Sequence, residues 1–196
     1  MCESLENMIL ESLQGKGLAY IIDSRFILYY AVRLFLIYFL LYLLIKRRKF
    51  SAREFFPRYL FAWYMVVIIC FTLLPISIPA INSTDVNFNF SLLPLLNMFT
   101  DRSALINTAG NVMLFIPVVI LGRLGKFRIF CKVSSTLAFS LAFSLAIEGM
   151  QYLLVSNGYA DMPGTVAVDI IDVLTNTIGG VTGWFIVEFY RKTRTG

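Results

Sequence analysis

Carboxylates and amides recur at helical spacing inside apolar segments in the second half of this 196-residue chain. Glu148 and Gln151 are three residues apart, and Asp169, Asp172 and Asn176 follow at intervals of three and four. Residues at such intervals lie on one face of a helix. Oxygen and amide groups on such faces can bind a polar ligand, act as a general base, or hold a hard cation such as Mg²⁺ or Ca²⁺.

An earlier apolar segment carries Asn107 and Asn111, also one helical turn apart. An ionised carboxylate near the middle of a bilayer costs about 3 kcal/mol on insertion scales, so such groups face the bundle interior, a partner or water. Interhelical hydrogen bonds in membranes average only about 0.6 kcal/mol, which accounts for amides better than for three acids. We therefore expect one polar pocket, formed by Asn107, Asn111, Glu148, Gln151, Asp169, Asp172 and Asn176.

One basic residue, Arg33, lies inside the first apolar segment. Two interpretations are equally open. The long side chain can extend outward to the aqueous interface, or it can pair with the acids of the predicted pocket, so Arg33 is an eighth candidate site residue.

The composition is 58% hydrophobic and 15% charged, which is typical of a membrane protein rather than a soluble domain. Apolar runs long enough to span a bilayer recur. They predict an all-α, polytopic bundle of about five transmembrane helices near residues 26–45, 59–78, 107–121, 133–155 and 168–190. Thr165 is predicted to cap the last helix.

Basic residues cluster after the first, third and fifth predicted spans, whereas the other connections are mainly acidic. By the positive-inside rule the N-terminus is outside and the C-terminus is cytoplasmic. The predicted organisation is an N-terminal segment with an extra helix (1–58), a transmembrane domain (59–190) and a basic cytoplasmic tail (191–196).

The net charge of +5 does not indicate nucleic-acid binding, because the basic residues lie at span ends, where they set topology and meet membrane lipid. The chain has no histidine, the commonest general base and zinc ligand. It also has no phosphate-binding loop, no GxSxG motif and no glycine-rich dinucleotide fingerprint. We predict no cofactor and no metal site.

Three segments resemble the VanZ family in order and in helix placement: residues 111–117 (NVMLFIP), 144–151 (SLAIEGMQ) and 169–180 (DIIDVLTNTIGG). Residues 89–94 (NFSLLP) look like the external Asn and Pro element of that family. The likeness covers about residues 59–183, so the first helix looks like an addition. Many members carry an arginine shortly before the second aspartate, where this chain has Val166.

The resemblance implies a bacterial plasma-membrane protein linked to low-level resistance to teicoplanin-type glycopeptides. The first functional hypothesis is an outward-facing polar pocket that binds an envelope component, such as a peptidoglycan precursor or a lipoglycopeptide. The second is an enzyme acting on a lipid-linked substrate, with Glu148 or an aspartate as general base and a divalent ion on the carboxylates. The third is an ion-coupled transporter, which the absence of an inverted repeat disfavours.

Overall fold

A computed structural model describes residues 20–22, 24–45, 52–73, 76–78, 87–93, 96, 99–159 and 166–195. The predicted helix cap Thr165, the proline of the 89–94 element and most of the first basic segment lie outside this described part of the chain.

Five helices in the described residues are long and apolar enough to cross a membrane. They are α1 (Ser24–Ile45), α2 (Ala52–Leu73), α3 (Arg102–Leu124), α4 (Val133–Ser156) and α5 (Ile170–Thr195). The predicted all-α fold with five membrane-spanning helices is therefore confirmed. The orientation of the termini stays a prediction.

Two short strand pairs accompany the helices in the described part of the chain. β1 (Tyr20–Ile22) pairs antiparallel with β2 (Ile76–Ile78), and β3 (Asn87–Asn89) pairs parallel with β4 (Val166–Asp169). The second pair matters for the site, because its register places Asn89 opposite Asp169, immediately before α5.

The starts of two helices lie several residues before their predicted positions. α2 starts at Ala52 instead of residue 59, so Arg58 belongs to the helix rather than to the basic loop. α3 starts at Arg102 instead of residue 107, because Asp101 caps it by accepting a 2.9 Å hydrogen bond from the Ser103 amide. Hydropathy locates the apolar part of a helix and misses polar turns that continue beyond it.

Helix ends that carry basic residues meet at one end of the bundle, which we call the basic end. Arg123 near the end of α3 forms a 3.0 Å ion pair with Glu188 near the end of α5. Arg58 at the start of α2 donates from Nε to the Gly125 carbonyl, just after α3, across 2.9 Å. The helices α3 and α5 both end at the basic end and so run parallel to each other, whereas α2 begins there and runs antiparallel to both.

Close backbone approach determines how α5 packs. A methyl group added at Gly179 would strike the backbone carbonyl of Val112 in α3, and one added at Gly183 would lie 2.7 Å from the carbonyl of Ile116. At Gly180 the obstacle is the Ser140 side chain of α4. Small residues at these positions let α5 contact both neighbours, which is how helices associate without a hydrophobic driving force in lipid.

The buried core lies between α2, α3, α4 and the 3-10 turn Arg128–Phe130. Its central residues are Ile68, Phe115, Val118, Val119, Phe130 and Ile147. α1 stands apart from this core, because most of its large apolar side chains are exposed, Leu34 to 66%. A lipid environment would cover that surface.

Candidate functional site

The start of α5, at the end of the bundle opposite the basic end, is held by a hydrogen-bond network. The Asp169 carboxylate accepts from the Ile171 amide (2.9 Å) through Oδ1 and from Asn89 Nδ2 (3.2 Å) through Oδ2. The Asp169 amide donates to Glu148 Oε2 of α4 across 3.1 Å. Asp169 is thus the helix cap, and α5 begins at Ile170 instead of the predicted Val168.

Two side chains join α3 to α5 just beyond this cap. Asn111 Nδ2 donates to Asp172 Oδ1 across 2.6 Å. Asp172 lies in the first turn of α5, where the positive end of the helix dipole stabilises a carboxylate. Its second oxygen, Oδ2, has no hydrogen-bond partner among the described residues.

A cavity of about 520 Å³ opens beside this pair, between α3 and the start of α5. It is lined by Ala104, Ile106, Asn107, Thr108, Gly110, Asn111, Asp169, Ile171 and Asp172. We call it the polar cavity. Asn107 is exposed there, whereas Asn111 and Asp172 are half-buried, so the cavity presents both amide donors and carboxylate acceptors to a ligand.

Glu148 does not line the polar cavity. It is only 4% exposed and contacts the site through the Asp169 amide. This contact makes it a positioning residue for the start of α5, since a buried carboxylate that accepts a backbone amide fixes that amide and gains from its dipole.

Two further candidate residues make contacts away from the cavity. Gln151 donates to the Thr72 carbonyl near the end of α2 across 2.9 Å. Asn176, 4% exposed, donates to Ser144 Oγ of α4 across 2.9 Å, and its own Oδ1 is buried without a hydrogen-bond partner. These geometries match interhelical hydrogen bonding.

Arg33 is exposed on α1 and contacts Tyr29, one turn earlier, both at the hydroxyl and over the ring face at 4.1 Å. No ion pair within the described residues joins it to Glu148, Asp169 or Asp172. Of its two interpretations, this geometry favours an arginine on the outer surface of the bundle over a partner for the acids.

The structure therefore brings together Asn107, Asn111, Asp169 and Asp172 around one cavity, adds Glu148 behind them, and leaves Gln151, Asn176 and Arg33 elsewhere. Sequence reasoning did not select Asn89 and Ser144 as site residues. Asn89 did stand in the external Asn and Pro element, and Ser144 lies one turn before Glu148 on the same face.

The chemistry available at the polar cavity is hydrogen bonding and charge attraction. Within the described residues, no group of three or more His, Cys, Asp or Glu side chains could hold a metal ion. The open oxygen of Asp172 accepts from hydroxyl, amide or ammonium donors, and the Asn107 amide can both donate and accept.

Fold and site together define a multi-pass membrane protein, with five membrane-spanning helices among its described residues and a polar cavity at the bundle end opposite its basic segments. The model of the VanZ/LLP1 family matches residues 61–191, and the chain belongs to this family. No curated protein and no solved structure matches the chain. The match begins within α2, so α1 lies outside it.

Proposed function

We propose that this VanZ-like protein lowers the sensitivity of a bacterial cell to teicoplanin-type glycopeptides by binding an envelope component in the polar cavity. The ligand is a peptidoglycan precursor or the lipoglycopeptide itself. The observation that carries the proposal is the open Asp172 oxygen in a cavity of about 520 Å³. A carboxylate is expensive to place within a membrane-spanning helix, and here one side of it is left for a ligand.

The contacts of the acids support binding by Asp172 in particular. Both oxygens of Asp169 are occupied by the Ile171 amide and Asn89, and Glu148 lies outside the cavity lining. Asp172 uses one oxygen for Asn111 and keeps the other for a donor. Both classes of ligand carry hydroxyl and amide groups, and apolar residues of neighbouring helices would accept a lipid chain.

The position of the basic residues predicts which side of the membrane the polar cavity faces. If the basic end is cytoplasmic, as the positive-inside rule predicts, the polar cavity opens toward the outer leaflet of the bacterial plasma membrane. Envelope precursors and glycopeptides meet at that surface, so the proposed ligand and the cavity share one side of the membrane.

The test is an Asp172→Asn variant expressed in a teicoplanin-susceptible host. Asparagine preserves the shape and removes the charge, so we expect the increase in minimum inhibitory concentration to be lost at unchanged protein level in the membrane. Asp101→Asn is the matched control, because it removes a carboxylate at the same bundle end, outside the cavity, and asparagine still caps α3. Full resistance with Asp172→Asn would refute the proposal.

Substitutions at Glu148 distinguish a binding function from a catalytic one. Glu148→Gln retains a carbonyl oxygen that can accept the Asp169 amide, so a positioning role predicts that resistance survives in Glu148→Gln and is lost in Glu148→Leu. A general base would fail in both variants. Comparison of envelope lipids and muropeptides with and without the protein completes the test, because a chemical change in either would replace binding with an enzymatic function.

A further inference from the structure

We infer that a second cavity, between α1 and α2, binds an anionic phospholipid, with the phosphate at Arg58 and an acyl chain along the cavity. This lipid site lies at the basic end of the bundle, whereas the polar cavity lies at the other end. The inference does not depend on the proposed function.

The cavity has a volume of about 580 Å³ and a largely aromatic and aliphatic lining. Rings of Phe35, Tyr38, Phe55 and Tyr59 form much of its wall, and neighbouring rings stack or meet edge to face. The lining on α2 extends from Phe55 to Val66, which is about 16 Å along the helix axis. An apolar cavity of this length, running from a helix end toward the middle of the bundle, matches an acyl chain in shape and depth.

Arg58 is the charged residue among those that line the cavity. Its Nε donates to the Gly125 carbonyl, which fixes the plane of the guanidinium group. Its two terminal nitrogens have no protein partner within the described residues. No acidic side chain stands among the described residues that line the cavity. A fixed guanidinium beside an apolar cavity is suited to a phosphodiester, because its remaining donors match phosphate oxygens geometrically.

The surroundings favour an anionic over a zwitterionic headgroup. Lys126 follows Gly125 directly, and Arg128 stands two residues further along the same connection. Near a membrane surface each basic residue contributes on the order of 1 kcal/mol to attraction of anionic lipid. Tyrosine rings, which line the cavity here, are also enriched at the headgroup level of bilayers.

Most of the lipid site lies outside the part of the chain that the family model matches. Most lining residues precede residue 61, where the family match begins. α1 packs against α2 through contacts such as the Phe35 and Trp63 rings, 5.4 Å apart. Between these helices, a bound lipid would fill a space that their side chains leave open.

The two tryptophans, Trp63 and Trp184, allow a direct measurement. In a Trp184→Phe protein, Trp63 is the sole tryptophan and stacks on Phe35, which lines the cavity. The protein is placed in phosphatidylcholine vesicles with increasing amounts of phosphatidylglycerol carrying brominated acyl chains, which quench tryptophan fluorescence on contact. We expect quenching to saturate at low mole fraction, with a preference of about fivefold or more over brominated phosphatidylcholine.

Arg58→Gln should abolish this preference, whereas Arg128→Gln, which removes a charge from the same end outside the cavity lining, should preserve it. Ala62→Phe fills the cavity without changing charge and should reduce quenching by both lipids. Because it tests occupancy of the cavity independently of Arg58, the inference does not depend on the folding of the arginine variant alone. Equal quenching by the two brominated lipids in the parent protein would overturn the inference, as would an unchanged preference in Arg58→Gln.

Discussion

Replacement of Gly179 by alanine tests whether contact between α3 and α5 holds the bundle together. A β-carbon at Gly179 would overlap the backbone carbonyl of Val112, which cannot rotate away as a side chain can. The two helices must separate, and the gap would reach the hydrogen bond between Asn111, which directly precedes Val112 in α3, and Asp172, which lies about two turns before Gly179 in α5.

The expected change in the free energy of unfolding follows from two opposing effects. Alanine favours a helix over glycine by up to about 1 kcal/mol, whereas forcing an extra methyl group into a packed interface costs about 1–3 kcal/mol. Gly149→Ala is the matched control, because a β-carbon there meets no atom within 4 Å. The helix-propensity gain is common to both variants, so the difference in free energy of unfolding isolates the steric cost, about 1–3 kcal/mol.

The assay is reversible unfolding in mixed micelles with increasing dodecyl sulfate, in a Trp63→Phe background, followed by fluorescence of the remaining Trp184, which lies next to Gly183 in α5. Gly149→Ala should unfold at or above the dodecyl sulfate concentration of the parent protein, and Gly179→Ala clearly below it. If the two variants differed by less than about 0.5 kcal/mol, the close approach of α5 to α3 would not be an energetic constraint.

Two further predictions concern the polar contacts. Ser144→Ala leaves the Asn176 amide without its partner. The free energy of unfolding, measured in the same micelles, should therefore fall by about 0.6 kcal/mol and by at most about 1.7 kcal/mol. No loss would mean that Asn176 finds another partner. Asn89→Leu removes a donor from Asp169 but leaves its cap on Ile171, so teicoplanin resistance should fall less than with Asp172→Asn; an equal loss would make Asn89 part of the binding group itself.

Much of the fold could be predicted because membrane insertion imposes length and hydropathy on each helix. The predicted number of spans is confirmed by the structure. The predicted ends of α2 and α3 were wrong by several residues. They depend on local caps and on charged side chains at helix ends, which hydropathy assigns to loops.

The candidate site was harder to predict. Spacing places Asp169, Asp172 and Asn176 on one face of α5, but the neighbour that this face meets changes along the helix. Near its start the face meets α3 and the cavity, and one turn later Asn176 meets Ser144 of α4. Such a change of neighbour arises from helix packing angles, which a single sequence does not encode in any local pattern.

The contacts explain why three acids can lie close together in an apolar bundle with no cation paired to them in the described residues. Glu148 and Asp169 both accept backbone amides at the start of α5, where the first amides of a helix lack internal partners and carry partial positive charge. The helix end therefore takes the place of a counter-ion. Asp172, one turn further in, gains less from those amides and relies on Asn111 for a single hydrogen bond. Of the two acids that line the polar cavity, it is the one with a carboxylate oxygen that has no protein partner in the described residues, and so the one whose interaction with a donor-bearing ligand should be strongest.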